Sequence, residues 1–175
     1  MKVVAVKVFP SLLLVCMLGC NGVEKEKSPA TQTEHNVLTE DEKRAGWKLL
    51  FNGETLDGWR GIGRDAVPEH LWKVEDGAIR KVNTGEVASL ADGQPAEGGD
   101  LMTIESYDNF DLRFEWKVSE SGNTGLKYNV SEEMSTQHLT GYSAIGFEYQ
   151  LSDDDPEKGK ANPSHLVGAL YDLIP

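Results

Sequence analysis

The segment 111–118 reads Asp-Leu-Arg-Phe-Glu-Trp-Lys-Val, with Leu112, Phe114, Trp116 and Val118 on one side and Arg113, Glu115 and Lys117 on the other. A period of two puts alternate side chains on opposite faces of an extended chain, whereas a helix would scatter these apolar residues around its axis. The segment is therefore a strand with one core face and one wet face. The pattern recurs. After Ser121-Gly122-Asn123, residues 125–130 alternate Leu126, Tyr128 and Val130 against Lys127 and Asn129, and residues 145–151 alternate Ile145, Phe147, Tyr149 and Leu151 against Gly146, Glu148 and Gln150. Shorter apolar runs at 47–51, 71–74, 78–82 and 101–104 are separated by turn dipeptides such as Asn52-Gly53 and Asp76-Gly77. Those dipeptides fold extended runs back on themselves. The secure helix is a short one, where Thr39 and Glu42 have the spacing of a capping box and Gly46 stands at the stop. Many short strands without helical crossovers predict an all-β sandwich.

If the three alternating strands lie side by side, their wet faces form one surface carrying Arg113, Glu115, Lys117, Lys127, Asn129, Glu148 and Gln150. Carboxylates, amides and long cations of this kind suit a polyhydroxylated ligand, which needs paired hydrogen bonds. The four tryptophans offer stacking surfaces, but Trp116 is on an apolar face and the others sit in apolar runs or turns, so at least three belong to the core. His35, His70 and His138 read as solvated or loop residues.

The N-terminus is organised differently. Lys2 and Lys7 precede an apolar run from Val8 to Leu18, about half of what a bilayer span requires, which is the form of an export signal. The run ends in Met17-Leu18-Gly19-Cys20, which resembles the bacterial lipoprotein box. That resemblance implies cleavage before Cys20 and acylation of Cys20. The expected organisation is a signal peptide at 1–19, a disordered polar tether at 20–38 and a folded domain at 39–175. The location is then the bacterial cell envelope, lipid-anchored and periplasmic or surface-facing, with membrane contact through the anchor only. Composition removes other classes. With 17 Lys and Arg against 29 Asp and Glu, the net charge of −12 makes nucleic acid an unsuitable partner. Both cysteines lie in the first twenty residues, so the folded part has neither a thiol nucleophile nor a Cys-ligated metal.

Specific strings then carry the reading further. Gly46-Trp-Lys-Leu-Leu-Phe-Asn-Gly-Glu-Thr-Leu-Asp-Gly-Trp59, Trp72-Lys-Val-Glu-Asp-Gly-Ala-Ile79, Tyr107-Asp-Asn-Phe-Asp-Leu-Arg-Phe-Glu-Trp-Lys117, Gly122-Asn-Thr-Gly-Leu-Lys-Tyr128, Glu148-Tyr-Gln-Leu-Ser-Asp-Asp154 and Gly168-Ala-Leu-Tyr-Asp-Leu-Ile-Pro175 occur in order. Together they resemble the 3-keto-disaccharide hydrolase family over roughly residues 38–175. The resemblance implies a concanavalin-like jelly-roll β-sandwich and cleavage of glycosides whose sugar is oxidised at carbon 3. It also implies further strands after Pro175, so the jelly roll is expected to be incomplete in this chain.

A ketone at carbon 3 acidifies the proton on carbon 2, so the aglycone can leave by elimination, and water addition completes a net hydrolysis. Such a reaction needs a base, a proton donor for the leaving oxygen and a positive or hydrogen-bonding group at the enolate oxygen. Glu148 is the candidate base, with His165 and Asp172 as further acid/base residues. Glu115, Lys127, Asn129, Gln150 and Tyr171 are the candidate substrate contacts, Lys127 being the one for the enolate or a hydroxyl. A divalent metal is an alternative electrophile, for which Asp153 and Asp154 are the candidate ligands. Two rival readings are a non-catalytic carbohydrate-binding module on the same jelly roll and an inactive remnant.

Overall fold

The computed structural model describes residues 2–8, 35–82, 99–137, 143–154 and 162–175. Its order is β1 (Lys2–Val8), α1 (Glu40–Arg44), β2 (Trp47–Lys48), β3 (Trp59–Gly61), β4 (Trp72–Glu75), β5 (Ala78–Lys81), β6 (Leu101–Thr103), β7 (Phe110–Glu115), β8 (Asn123–Tyr128), α2 (Glu132–Ser135) and β9 (Phe147–Ser152), with a 3-10 turn at Pro163–His165. The strands pair antiparallel as β2-β1-β7, β3-β6, β4-β5 and β8-β9. This is an all-β, jelly-roll-like architecture, with helices of five and four residues as connections.

Local rules account for the elements. Thr39 Oγ1 accepts the Glu42 amide while the Glu42 carboxylate accepts the Thr39 amide, the reciprocal box expected from the sequence. The chain leaves α1 through Gly46 at φ +83°. Asp76 and Gly77 both have positive φ, 52° and 65°, the requirement of a tight hairpin turn, and they join β4 to β5. Asn52-Gly53 does something else. The Asn52 carboxamide accepts the amides of Glu54 and Thr55, so the chain turns away, and β3 pairs with the distant β6 rather than with β2.

The core centres on Phe51 and Ile79, against which Leu50, Leu56, Trp59, Trp72, Val74, Leu101 and Leu112 pack. Leu38 and Trp47 form a second cluster with Leu49. The indole N–H groups of Trp59 and Trp72 donate to the carbonyls of Leu50 and Gly99, so both rings are half-buried without an orphaned donor.

In the uncleaved chain residues 2–8 pair as β1 between β2 and β7, a pairing that the expected cleavage before Cys20 would remove. Elsewhere the structure departs from the sequence reading. Packed structure extends ahead of Thr39, because Asn36 and Leu38 are buried and Asn36 Nδ2 donates to Gly77 O at 2.9 Å. His35, read as solvated, is exposed and lies 2.9 Å from the Glu115 carboxylate. Most important, β7 shares no ladder with β8 and β9. The apolar sides of the three strands instead line one open trough of about 470 Å³ that includes Leu112, Phe114, Trp116, Leu126, Tyr128 and Tyr149. Phe114 meets Tyr149 edge to face at 6.5 Å across it. Trp116, at 39% exposure, lines this trough rather than a closed core.

Candidate active site

β8 and β9 put Lys127 directly opposite Glu148. Opposed residues of an antiparallel pair project on one face, so the ladder register alone brings these two charges together. Between them the geometry is loose: Lys127 Nζ lies 3.8 Å from Glu148 Oε2 and 3.2 Å from Asp100 Oδ2. Asp100 is held from three sides, since Oδ2 also accepts the Ala144 amide at 2.8 Å and its carbonyl accepts the Ile62 amide at 3.0 Å. Gly125 makes room for the site, because a Cβ there would collide with the Glu148 carboxylate. Burial pushes the Glu148 carboxyl upward, Lys127 opposes this, and the negative charge of Asp100 reinforces it.

The C-terminal segment closes over the other edge of β9. Gly168 N donates to Gln150 O, Gln150 N to Ala169 O, and Tyr171 N to Glu148 O at 2.9 Å. These bonds carry the Leu-Tyr-Asp-Leu string to the edge that bears Glu148. Tyr171 stacks on the His165 ring at 4.4 Å between centroids, and His165 Nε2 lies 2.5 Å from Asp172 Oδ1. Burial raises the Tyr171 hydroxyl pKa, and the charges of Asp172 and Glu148 raise it further, so the phenol keeps its proton.

Lys127 and Tyr171 thus flank Glu148 from the two edges of β9, and His165 and Asp172 join at Tyr171 and at each other. Asn129 follows β8 as an exposed residue at φ +52°, where the strand alternation ends. Others of the expected set are elsewhere. Glu115 lies on β7, outside the β8–β9 ladder, where His35 pairs with it, and its neighbour Arg113 stacks on Trp47 at 4.0 Å. Gln150 is 4% exposed and gives its amide to Asn123 Oδ1 at 2.8 Å, so it serves the ladder. The expected sidedness of β9 is partly inverted, since Gln150 is buried while Tyr149 is 41% exposed. The reason is that the C-terminal segment covers the β9 edge, whereas the apolar side faces the trough.

Asp153 and Asp154 do not form a metal pair. Asp153 Oδ2 accepts the Ser121 amide, and the Asp154 carboxylate accepts the Val167 amide and the Ser152 hydroxyl. Among the described residues no group of three or more His, Cys, Asp or Glu side chains is arranged to hold a metal ion. These two carboxylates, each spent on a different loop, do not fit one. Cys20 and His138 lie outside the described residues. Sequence reasoning missed Asp100, because it does not belong to an alternating wet face shared with Glu148. The one available signal was an acidic residue placed directly before a strand.

Comparison with known proteins adds an independent line. A family profile described as a 3-keto-alpha-glucoside-1,2-lyase-like domain matches residues 46–175. A protein of Bacteroides thetaiotaomicron described as a 3-keto-disaccharide hydrolase is 36% identical over 140 residues, which cover 74% of this chain and 46% of that protein. A crystal structure from Parabacteroides distasonis, described provisionally as a glycosyl hydrolase, superposes with a TM-score of 0.56 at 30% identity, covering 79% of this chain and 59% of that one. The chain therefore spans about half the length of the curated relative it matches.

Proposed function

The chain belongs to the 3-keto-alpha-glucoside-1,2-lyase-like family, and on that premise we propose that it is an exported, lipid-anchored enzyme that cleaves glycosides oxidised at carbon 3. The observation that carries the reading is Glu148, a half-buried carboxylate with an upshifted pKa, set 3.8 Å from an ammonium and not locked to it. A base works best when its pKa approaches the working pH, and burial moves Glu148 in that direction.

In this reading Glu148 removes the proton from carbon 2 while the electron pair shifts toward the carbon 3 oxygen, where the Lys127 ammonium donates. The bond from carbon 1 to the aglycone oxygen then breaks, and the leaving oxygen takes a proton from the Tyr171–His165–Asp172 group. Water adds to carbon 1 of the unsaturated ketone and carbon 2 regains a proton, so the sum is hydrolysis. Asn129 is the outer contact for sugar hydroxyls. Attachment through an acylated Cys20 would hold the domain at the cell envelope.

The test is release of free sugar from a 3-keto-disaccharide and from its unoxidised parent. Release from the keto compound alone is expected. Binding of both sugars without release from either would instead establish a carbohydrate-binding module, and absence of both binding and release would leave the remnant reading.

A further inference from the structure

Asp100, just ahead of β6, is mounted on the core. Its carbonyl accepts the amide of Ile62, which is 1% exposed, and the carbonyl of Gly99 beside it accepts the indole N–H of Trp72. Gly99 lies so close to the buried Leu71 that a Cβ there would collide with its side chain. The carboxylate is anchored as well, because Oδ2 accepts the Ala144 amide at 2.8 Å, and the next amide, that of Ile145, donates to the buried Ser135 hydroxyl. A carboxylate pinned through both backbone and side chain cannot follow a neighbouring charge. The Lys127 ammonium, on a flexible four-carbon stem, can.

The ladder puts Glu148 directly opposite Lys127, so an ammonium with no other anion in reach would settle on the Glu148 carboxylate. It lies instead 3.2 Å from Asp100 Oδ2 and 3.8 Å from Glu148 Oε2, within hydrogen-bond reach of the first and outside that of the second. One bond to Asp100 leaves the ammonium two further donors. Glu148 is faced by Lys127 from β8, by Asp100 from ahead of β6 and by Tyr171 from the C-terminal segment, whose amide bonds the Glu148 carbonyl. We propose that Asp100 is the positioning residue of this site: it draws the Lys127 ammonium off Glu148, which leaves the carboxylate free to take the proton on carbon 2 and the remaining ammonium donors free for the oxygen on carbon 3. The inference rests on the function proposed above and adds the residue that keeps its base and its cation from neutralising each other.

The full chain carrying Asp100→Asn tests it, because the Asn carbonyl oxygen still accepts the Ala144 amide while the charge that attracts Lys127 is gone. Turnover of the 3-keto-disaccharide at neutral pH is expected to fall about ten-fold, and the acid limb of kcat/KM to move about one pH unit lower as Lys127 settles on Glu148, with thermal unfolding little changed. Wild-type turnover, or a loss of turnover with the limb unmoved, would overturn the assignment, the second by making Asp100 a structural residue. If the wild-type chain releases no sugar, the function reading fails and Asp100 is decided by NMR titration of the Glu148 carboxyl. A lower midpoint in Asp100→Asn would support the positioning, and an unchanged or higher one would overturn it. Where Asp100→Asn does not fold, the wild-type chain decides, through the scalar coupling that a hydrogen bond carries from Lys127 Nζ. Coupling to the Asp100 carboxylate carbon supports the assignment, and coupling to that of Glu148, or to neither, overturns it.

Discussion

Glu132 and Glu148 are both partly buried glutamates paired with a cation, and their carboxyls move in opposite directions. The side chain of Glu132 is 36% exposed and that of Glu148 24%, and burial is the first cause acting on Glu148 but a minor one for Glu132. The bonding differs as well. Glu132 meets both terminal nitrogens of Arg60, one of them at 2.7 Å, and also accepts the Gly63 amide at 2.9 Å, so its pKa falls to about 2. Glu148 meets a lysine already shared with Asp100, at a distance too long for a hydrogen bond, so burial dominates and its carboxyl rises. The first pair ties α2, and with it the connection from β8 to β9, to β3. The second leaves a carboxylate available for proton transfer. A cation beside a carboxylate thus says little about its role until the number of donors is known.

The sharpest break of this contrast is Glu148→Gln, which keeps the shape and removes the proposed base. Turnover of a 3-keto-disaccharide is expected to fall by about two to four orders of magnitude with the sugar still bound, as measured by initial rates and by titration. Gly125→Ala comes next. The added methyl group displaces the Glu148 carboxylate, a flexible side-chain end, so turnover should drop about ten-fold or more while thermal unfolding changes little.

The structural partner should respond in the opposite way. Glu132→Gln is expected to cost about 1–2 kcal/mol at neutral pH in chemical denaturation, allowing for the solvent that screens part of the pair. Because the folded carboxyl of Glu132 is depressed from 4.5 to about 2, its contribution is present above about pH 4.5 and lost as pH falls toward 2, so mutant and wild type should converge there. For Glu148 the sign reverses. Its raised carboxyl holds a proton longer in the folded chain than in the unfolded one, so its charge costs stability as pH rises above 4.5. Glu148→Gln should therefore be neutral or slightly stabilising at pH 7, the smallest of these effects. A marked loss of stability in that variant would make Glu148 a structural residue like Glu132.

Much of the local structure was readable beforehand. The capping box at Thr39 and Glu42, the tight turn at Asp76-Gly77 and the strands around Phe114, Lys127 and Glu148 follow from residues a few positions apart. The Glu148 and Lys127 pairing was within reach, because both strands alternate. Glu115 was misplaced for the same reason: alternation states which residues share a face of one strand, and nothing about which strands share a sheet. Asp153 and Asp154 looked like ligands because a string of acids carries no sign of the backbone amides that will claim it.

By itself the sequence determined the strand periodicity, the turns and the family, since these depend on backbone sterics and on side chains close along the chain. The tertiary structure alone decided that β7 turns Glu115 away while β9 brings Glu148 over Gly125 and beside Lys127. It also decided that Asp100, just ahead of β6, joins them at Lys127. The reason is that hydrogen bonding between strands is indifferent to side-chain identity, so the choice of ladder partners is made by packing across the whole domain, and the site is a consequence of that choice.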